Sequence, residues 1–308
     1  MLSMHPVSSR RIFLKQSFAL AIAGGALSEL SSSPAVEPFK RRGAPLLALS
    51  LAAYSFRDTF NHKDPAKRIT MFDFIDYCAE QGCQGGEVTS YYFPKPLTDD
   101  FLVKLKRHAF LRGIEISGSA VGNNFTRPPG KDRDREIKDV KDWIDHAALL
   151  GAPHIRVFAG PKPKEGDVAQ AKKFCIECLE QCGDYAGTKG IFLGLENHGG
   201  IVSEPADILE IVQAVKSQWV GINLDTGNFE TDDPYADLAR CAPYAVNVQL
   251  KVEIKRRNAS KEPSDIDRLA RILRDANYQG YVALEYEAKE DPWQTIPGWL
   301  KKMKQAFA

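Results

Sequence analysis

Three carboxylates in this chain each stand immediately after a short apolar run: Glu196, Asp225 and Glu285. A carboxylate buried without a partner at such a position is strongly destabilising, and three that converge repel one another unless a cation lies among them. With the neutral amide oxygen of Gln249, they would make an oxygen-rich site for a hard divalent ion. The pattern therefore predicts a metal site formed by Glu196, Asp225, Gln249 and Glu285.

Five further polar residues lie at or just after the ends of apolar runs, and we predict that they contact a small substrate: Glu87, Arg156, His198, Asn228 and Lys251. Arg156 could instead pair with a neighbouring carboxylate, because guanidinium groups bind carboxylates well. Lys251 could neutralise the acidic cluster, and His198 could be a hydrogen-bonded loop residue. The residue types alone do not choose among these roles.

The elements that must position these side chains alternate between strand and helix. Apolar runs predict eight strands, each followed by a polar turn and a helical period. About 269 residues follow the N-terminal segment, which is close to the ~250 of a (β/α)8 barrel. We therefore predict an α/β fold, a parallel eight-stranded TIM barrel. The doubly wound open sheet is the alternative, but no G-x-G-x-x-G follows the first strand. The predicted strands cover 46–52, 85–88, 114–117, 154–158, 191–195, 220–224, 245–250 and 281–284.

The first 39 residues differ from the rest of the chain. Arg10 and Arg11 precede an apolar stretch from Ser17 to Leu27, and small residues at Ser33 to Ala35 could be a cleavage site. This segment resembles a twin-arginine signal peptide. The resemblance implies export of the folded protein to the periplasm or another extracytoplasmic space. The predicted organisation is a signal peptide and linker over 1–39 and a barrel domain over 40–308.

Composition excludes several classes of function. Forty-one basic and 40 acidic residues leave a formal charge of +1, so no net field favours nucleic acid or an anionic membrane. Beyond the N-terminus no apolar run approaches the ~20 residues of a membrane helix, and we expect no membrane anchor after processing. A homo-oligomer stays open. The basic cluster Lys255–Arg257 with Lys261 is predicted to be an exposed loop after the seventh strand, where a phosphate-binding role is an alternative.

Four motifs in order resemble the xylose isomerase-like TIM barrels, a superfamily of sugar epimerases, hydroxypyruvate isomerases and inosose dehydratases that has endonuclease IV as a distant relative. The motifs are Gly151–Arg156, Leu195–His198, Leu224–Asn228 and Leu284–Tyr286. In the epimerases the corresponding Glu, Asp, His and Glu bind Mn²⁺, Co²⁺ or Mg²⁺. This chain has Gln249 where His is usual. An amide oxygen is a harder and weaker ligand than imidazole, which shifts the expected metal from Zn²⁺ toward Mg²⁺ or Mn²⁺.

The resemblance implies a metal-dependent sugar isomerase or epimerase. Such an enzyme removes a proton next to a carbonyl to form an enediolate and returns one to another face or carbon. In the epimerases the acid-base pair is the first and last ligand, which would be Glu196 and Glu285 here. The closest alternative is elimination by a lyase or dehydratase acting on a keto-sugar, an inosose or a 3-keto-glycoside. A phosphodiesterase and a non-catalytic sugar-binding barrel are also compatible with the resemblance.

Overall fold

Eight parallel strands close into a barrel in the computed structural model, which describes residues 36–308. The strands of the barrel are β1 (Leu46–Ala52), β2 (Gly85–Thr89), β3 (Glu115–Ala120), β4 (His154–Val157), β5 (Phe192–Glu196), β6 (Val220–Asp225), β7 (Ala245–Leu250) and β10 (Gln279–Leu284). The neighbours around the barrel are β1, β10, β7, β6, β5, β4, β3 and β2, and the ring closes between β2 and β1. The predicted TIM barrel is therefore confirmed.

The predicted strands match the observed ones apart from their ends. β2 continues to Thr89, so Glu87 lies inside the strand and not at its end. β3 starts at Glu115 and runs to Ala120, beyond the predicted end at residue 117. The segment after β7 is a short antiparallel hairpin of β8 (Glu253–Lys255) and β9 (Lys261–Pro263), where the sequence predicted only an exposed loop. The two strands are held together by backbone hydrogen bonds, which the charged side chains of this segment do not predict.

Helices cover the outside of the barrel and begin and end at recognisable residues. Within residues 36–308 the helices are α1 (Arg57–Phe60), α2 (Met71–Glu80), α3 (Asp99–Leu111), α4 (Lys131–Leu150), α5 (Val168–Lys189), α6 (Pro205–Ala214), α7 (Pro234–Cys241), α8 (Ile266–Asp275) and α9 (Pro292–Phe307). Pro205 occupies the first turn of α6, where a missing N–H has no consequence. α4 ends at Gly151, whose φ of +86 is the left-handed conformation that favours glycine.

The interior of the barrel contains polar side chains as well as the usual aliphatic ones. His154 is 3% exposed, and its ring lies where a side chain on β3 would otherwise project. A Cβ added at Gly118 would be 2.0 Å from Cε1 of His154, so this position must be glycine. The Ser50 and Ser117 hydroxyls form a 2.7 Å hydrogen bond in the same interior. Buried polar groups need hydrogen-bond partners, and these two hydroxyls supply them to each other.

The chain already packs on the barrel just before the predicted domain start at residue 40. Val36 is buried and donates its N–H to Val215, and Phe39 makes an edge-to-face contact with Phe192 at 5.8 Å between centroids. The predicted signal sequence and its cleavage site lie outside the described residues. No helix within 36–308 is long and apolar enough to cross a membrane.

Candidate active site

The three predicted carboxylates lie together at the carboxyl end of the barrel. Glu196 is the last residue of β5, Asp225 is the last residue of β6, and Glu285 directly follows β10. All three are at most 5% exposed. In this fold the active site is built at the carboxyl ends of the strands, so their position agrees with a catalytic role.

Lys251 lies between two of these carboxylates. Its Nζ is 3.4 Å from Oδ2 of Asp225 and 3.5 Å from Oε2 of Glu285, and it forms a 2.5 Å ion pair with Glu287. Neither Oδ2 of Asp225 nor Oε2 of Glu285 has a hydrogen-bond partner. A Cβ at Gly227 would be 2.6 Å from Cγ of Lys251, so the glycine makes room for the lysine stem. Neutralisation of the acidic cluster, the alternative role for Lys251, therefore has geometric support, and its predicted substrate contact stays a prediction.

Glu196 has different surroundings from Glu285. Its Oε2 is 2.8 Å from Nε of Arg156, and its Oε1 accepts a 3.0 Å hydrogen bond from Nδ2 of Asn228. Arg156 also donates to the backbone oxygen of Val121 and stacks on Phe158 at 3.9 Å from the ring centroid. The structure therefore brings Arg156 and Asn228 to the carboxylate, and their predicted substrate contacts stay predictions.

Burial changes the protonation of this cluster. It raises the pKa of Glu196, Asp225 and Glu285 to about 7 each, against the lowering effect of nearby Arg156 and Lys251. Burial also acts to lower the pKa of Lys251, but the surrounding carboxylates raise it well above its usual value. Carboxyl groups poised near neutral pH are suited to accept and return protons.

These raised pKa values predict how the metal-free protein responds to pH. A carboxyl whose pKa is higher in the folded state binds protons more tightly there, so its stabilising effect is lost as pH rises through the folded pKa. For Glu285 that window runs from 4.5 to about 7. We expect the free energy of unfolding, measured by urea denaturation in the presence of a chelator, to fall across this window. Glu285→Gln should make the fall shallower, and an unchanged slope would contradict the assignment.

The amide of Gln249 and the carboxylate of Glu87 face each other inside the barrel. Nε2 of Gln249 donates to Oε1 of Glu87 at 2.6 Å, and Oε1 of Gln249 accepts from Asn223 at 2.6 Å. The other oxygen of Glu87 accepts from Asn247 at 2.7 Å. Both oxygens of Glu87 are therefore used within the barrel, while its predicted substrate contact stays a prediction. The oxygen of Gln249 keeps one lone pair.

The oxygen atoms of these side chains are of the type that binds a divalent cation, although they are not already arranged around a metal position. Within residues 36–308 no group of three or more His, Cys, Asp and Glu side chains is arranged to hold a metal ion. Two buried carboxylate oxygens without hydrogen bonds, on Asp225 and Glu285, are nevertheless the hard ligands that Mg²⁺ or Mn²⁺ prefers. Lys251 is the positive charge beside them in the structure. A bound cation would have to replace it, with Glu287 holding the displaced ammonium.

The predicted residue His198 lies at the edge of the site. Its ring packs against Phe158 with 4.7 Å between centroids, and burial together with the Arg156 charge lowers its pKa. A cavity of about 540 Å³ adjoins it, a volume within the ~300–1,000 Å³ range of ligand pockets. The cavity is lined by Lys162, His198, Gly199, Ser203, Glu204, Gly227, Asn228, Glu230 and Arg257.

Three residues that the sequence did not single out support the site. Glu287 holds Lys251, and the side chain of Asn197 makes two hydrogen bonds, of 2.9 and 2.8 Å, with the backbone of Asp225. Tyr91 accepts a weak 3.4 Å hydrogen bond from Arg156. Asn197 directly follows the predicted ligand Glu196, and Glu287 lies two residues after the predicted ligand Glu285. Their closeness in the sequence to these ligands could have indicated both. No sequence signal marks Tyr91.

A family model described as "Xylose isomerase-like TIM barrel" matches residues 75–303. The chain belongs to this family. The matched segment contains every residue of the site described above, from Glu87 on β2 to Glu287 after β10. The resemblance inferred from the four motifs is therefore confirmed at the level of the family.

The chain is also similar to one curated protein and to several solved structures. A putative hydroxypyruvate isomerase from Xenopus laevis is 24% identical over 249 residues, which is 74% of this chain and 88% of that protein. A D-psicose 3-epimerase crystallised in the presence of D-fructose superposes with a TM-score of 0.67 at 20% identity, covering 83% of this chain and 89% of the other. An IolI protein with a bound zinc atom gives 0.66 at 16% identity, with 84% and 96% covered. At these identities the two solved structures show a shared fold.

Proposed function

We propose that this protein is a divalent-metal-dependent sugar isomerase or epimerase that acts through an enediolate. The observation that carries the proposal is the pair of buried carboxylate oxygens on Asp225 and Glu285 that have no hydrogen-bond partner and face only the Lys251 ammonium, with Glu196 nearby on β5. Its membership of the xylose isomerase-like family and the psicose epimerase and hydroxypyruvate isomerase among its relatives support the same reaction class.

Glu196, Asp225 and Glu285 would hold the ion, with the oxygen of Gln249 as the fourth ligand. When bound, a divalent ion would polarise a substrate carbonyl and make the adjacent C–H more acidic. The hard oxygen donors favour Mn²⁺ or Mg²⁺, and Co²⁺ or Zn²⁺ are alternatives. The zinc in the IolI structure supports a metal in this fold.

Glu285 is the better placed of the two carboxylates to remove the first proton. Its Oε2 has no hydrogen-bond partner, and Nζ of Lys251 is 3.5 Å away, whereas the two oxygens of Glu196 lie 2.8 Å from Nε of Arg156 and 3.0 Å from Nδ2 of Asn228. β5 and β10 are separated around the barrel by β6 and β7, so the two carboxylates approach the site from different sides. Glu285 would remove a proton from one side of the substrate, and Glu196 would return one from the other.

The charges around the site support a sugar without a phosphate group. The basic side chains of the β8–β9 hairpin are all used in ion pairs. Lys255 pairs with Glu230, Arg256 with Glu262, Arg257 with Glu204, and Lys261 with Glu253. A bound phosphate would have to displace these acids. Lys162, Ser203 and Asn228 in the adjoining cavity are suited to bind hydroxyl groups, and Arg156 and His198 would orient the sugar.

The deciding experiment is solvent isotope exchange. The protein is incubated with Mn²⁺ and a panel of keto- and aldo-sugars in D₂O, and substrate and product are analysed by NMR. We expect deuterium at a carbon next to the carbonyl together with an isomer or epimer. A panel that shows neither exchange nor metal binding would contradict the proposal and favour a non-catalytic sugar-binding barrel.

A second candidate is elimination from a keto-sugar, an inosose or a 3-keto-glycoside by the same site. The cavity beside His198 favours it, because a space of about 540 Å³ lined by Asn228, which donates to Glu196, could accept the leaving group. In the same D₂O experiment a lyase would release a leaving group and form an unsaturated product. An isomerase would conserve the mass of the substrate apart from exchanged deuterium.

We also propose that the protein is exported by the twin-arginine route. Arg10 and Arg11 precede the apolar segment in the order that this route requires. Replacing both by Lys should keep the protein in the cytoplasm with its first ~39 residues uncut, as measured by cell fractionation and mass spectrometry. The control makes the same change at a second arginine pair, Arg256 and Arg257, and this variant should be exported normally. Normal export of the Arg10/Arg11 variant would contradict the proposal.

A further inference from the structure

A closed ring of hydrogen bonds lies inside the barrel, near the carboxylates of the site. It joins β2, β6 and β7 through Glu87, Asn223, Asn247 and Gln249, each at most 2% exposed. Gln249 donates to Glu87 and accepts from Asn223. Asn247 donates to Oε2 of Glu87 at 2.7 Å and to the Oδ1 atom of Asn223 at 2.8 Å.

The donors and acceptors of this ring can be arranged in one way only. Both oxygens of Glu87 accept hydrogen bonds, so both amides that face it present their NH₂ groups. The NH₂ group of Gln249 is then committed to Glu87, and its oxygen must point to the other side. Turning over any amide would bring two donors or two acceptors together inside the barrel, which is strongly unfavourable for buried groups.

Gln249 is the register partner of Asp225 across β6 and β7, and both side chains are buried in the barrel. We propose that Glu87 is a positioning residue, which holds the amide of Gln249 so that its oxygen and not its nitrogen is offered to a cation bound at Asp225 and Glu285. This inference rests on the metal site of the proposed function. It gives Glu87 a role other than substrate contact.

The proposal predicts an effect that passes through Gln249. In Glu87→Gln the side chain has one oxygen and one NH₂ group, so every arrangement of the ring leaves one mismatched contact. The amide of Gln249 can then turn over together with that of Asn223. We expect Mn²⁺ affinity, measured by titration calorimetry, to fall by about 10- to 100-fold, as for other residues that orient metal ligands. Loss of the negative charge of Glu87 would also weaken Mn²⁺ binding. The effect of Glu87→Gln must therefore be compared with its effect in a protein that lacks the Gln249 amide.

A double-mutant cycle makes that comparison. Gln249→Leu removes the amide, and Glu87→Gln is then measured again in the Gln249→Leu protein. We expect the second replacement to change Mn²⁺ affinity much less than it does with Gln249 present. An equal loss in both backgrounds would show that Glu87 acts through its charge and would overturn the proposal. Gln249→His should keep the metal and favour Zn²⁺ or Co²⁺ over Mn²⁺ relative to the wild type, because imidazole is the softer donor.

A second readout needs no metal, so it separates this proposal from the proposed function. In the metal-free wild type the NH₂ protons of Gln249, assigned by their disappearance in Gln249→Leu, should exchange slowly with solvent. Rapid exchange, as for a surface amide, would overturn the positioning of Gln249 by Glu87. Slow exchange in a protein that does not bind Mn²⁺ would support the ring and contradict the metal site.

Discussion

Replacing Glu285 by Gln is expected to lower kcat by about 10²- to 10⁴-fold, which is the contribution of one general base. The amide has nearly the same volume and keeps an oxygen that can bind a metal, but it cannot accept the substrate proton. Oε2 of Glu285 has no hydrogen-bond partner, unlike the oxygens of Glu196, so the first proton transfer should depend on it. Exchange of solvent deuterium into substrate should be lost together with turnover.

Glu196→Gln should separate removal of the substrate proton from the return of a proton to form product. Proton removal by Glu285 survives in this variant, so substrate should still take up deuterium while product formation falls by orders of magnitude. The control is Glu210→Gln, the same chemical change on an exposed carboxylate of α6 that pairs with Lys172 of α5. It should leave kcat within a few-fold. Near-normal turnover in both Glu196→Gln and Glu285→Gln would show that the acid-base assignment is wrong.

Metal content separates ligation from proton transfer. Asp225→Ala deletes a carboxylate whose Oδ1 accepts from the Gly227 N–H and whose Oδ2 faces Lys251. Metal content per protein, measured by elemental analysis, should therefore fall further in Asp225→Ala than in Glu285→Gln. The reverse order would indicate that Glu285 is the stronger ligand and that Asp225 has mainly a structural role.

Replacing Lys251 by Met should destabilise the metal-free protein and strengthen metal binding. The methionine fills a similar volume but leaves Asp225 and Glu285 without the positive charge that lies 3.4–3.5 Å from them. Removing one partner of a buried ion pair is destabilising by about 3–5 kcal/mol. Because the ammonium no longer competes for the same oxygens, we expect Mn²⁺ to bind at least about tenfold tighter, which corresponds to ~1.4 kcal/mol.

The matched control is Lys255→Met. This lysine also pairs with an acid near the mouth of the barrel, but its partner Glu230 is 59% exposed. Exposed pairs contribute about 0–1 kcal/mol, so urea denaturation should show little change. Denaturation of Lys251→Met with and without Mn²⁺ tests both halves of the prediction. If stability and affinity in Lys251→Met both equal those of the wild type, the ammonium does not lie among the carboxylates in solution.

Much of the fold could be predicted from the sequence because its signals are local. Apolar runs act over a few residues, and all eight predicted strands were found. Pro205 at the start of α6 and Gly151 at the end of α4 act over the same short range. The errors lie at strand ends, where β2 and β3 extend further than predicted. The hairpin after β7 was missed because its charged residues pair through their backbone.

The sequence also determined which side chains stand at the carboxyl ends of the strands, because the period of a strand and the direction of a parallel barrel place them there. It could not determine which of them meet. Glu87 and Gln249 are 162 residues apart, on strands separated by β1 and β10, and Lys251 reaches carboxylates from two other strands. Those contacts depend on barrel closure and strand register. The tertiary structure alone therefore decided that a lysine lies between Asp225 and Glu285, and that an amide ring holds Gln249.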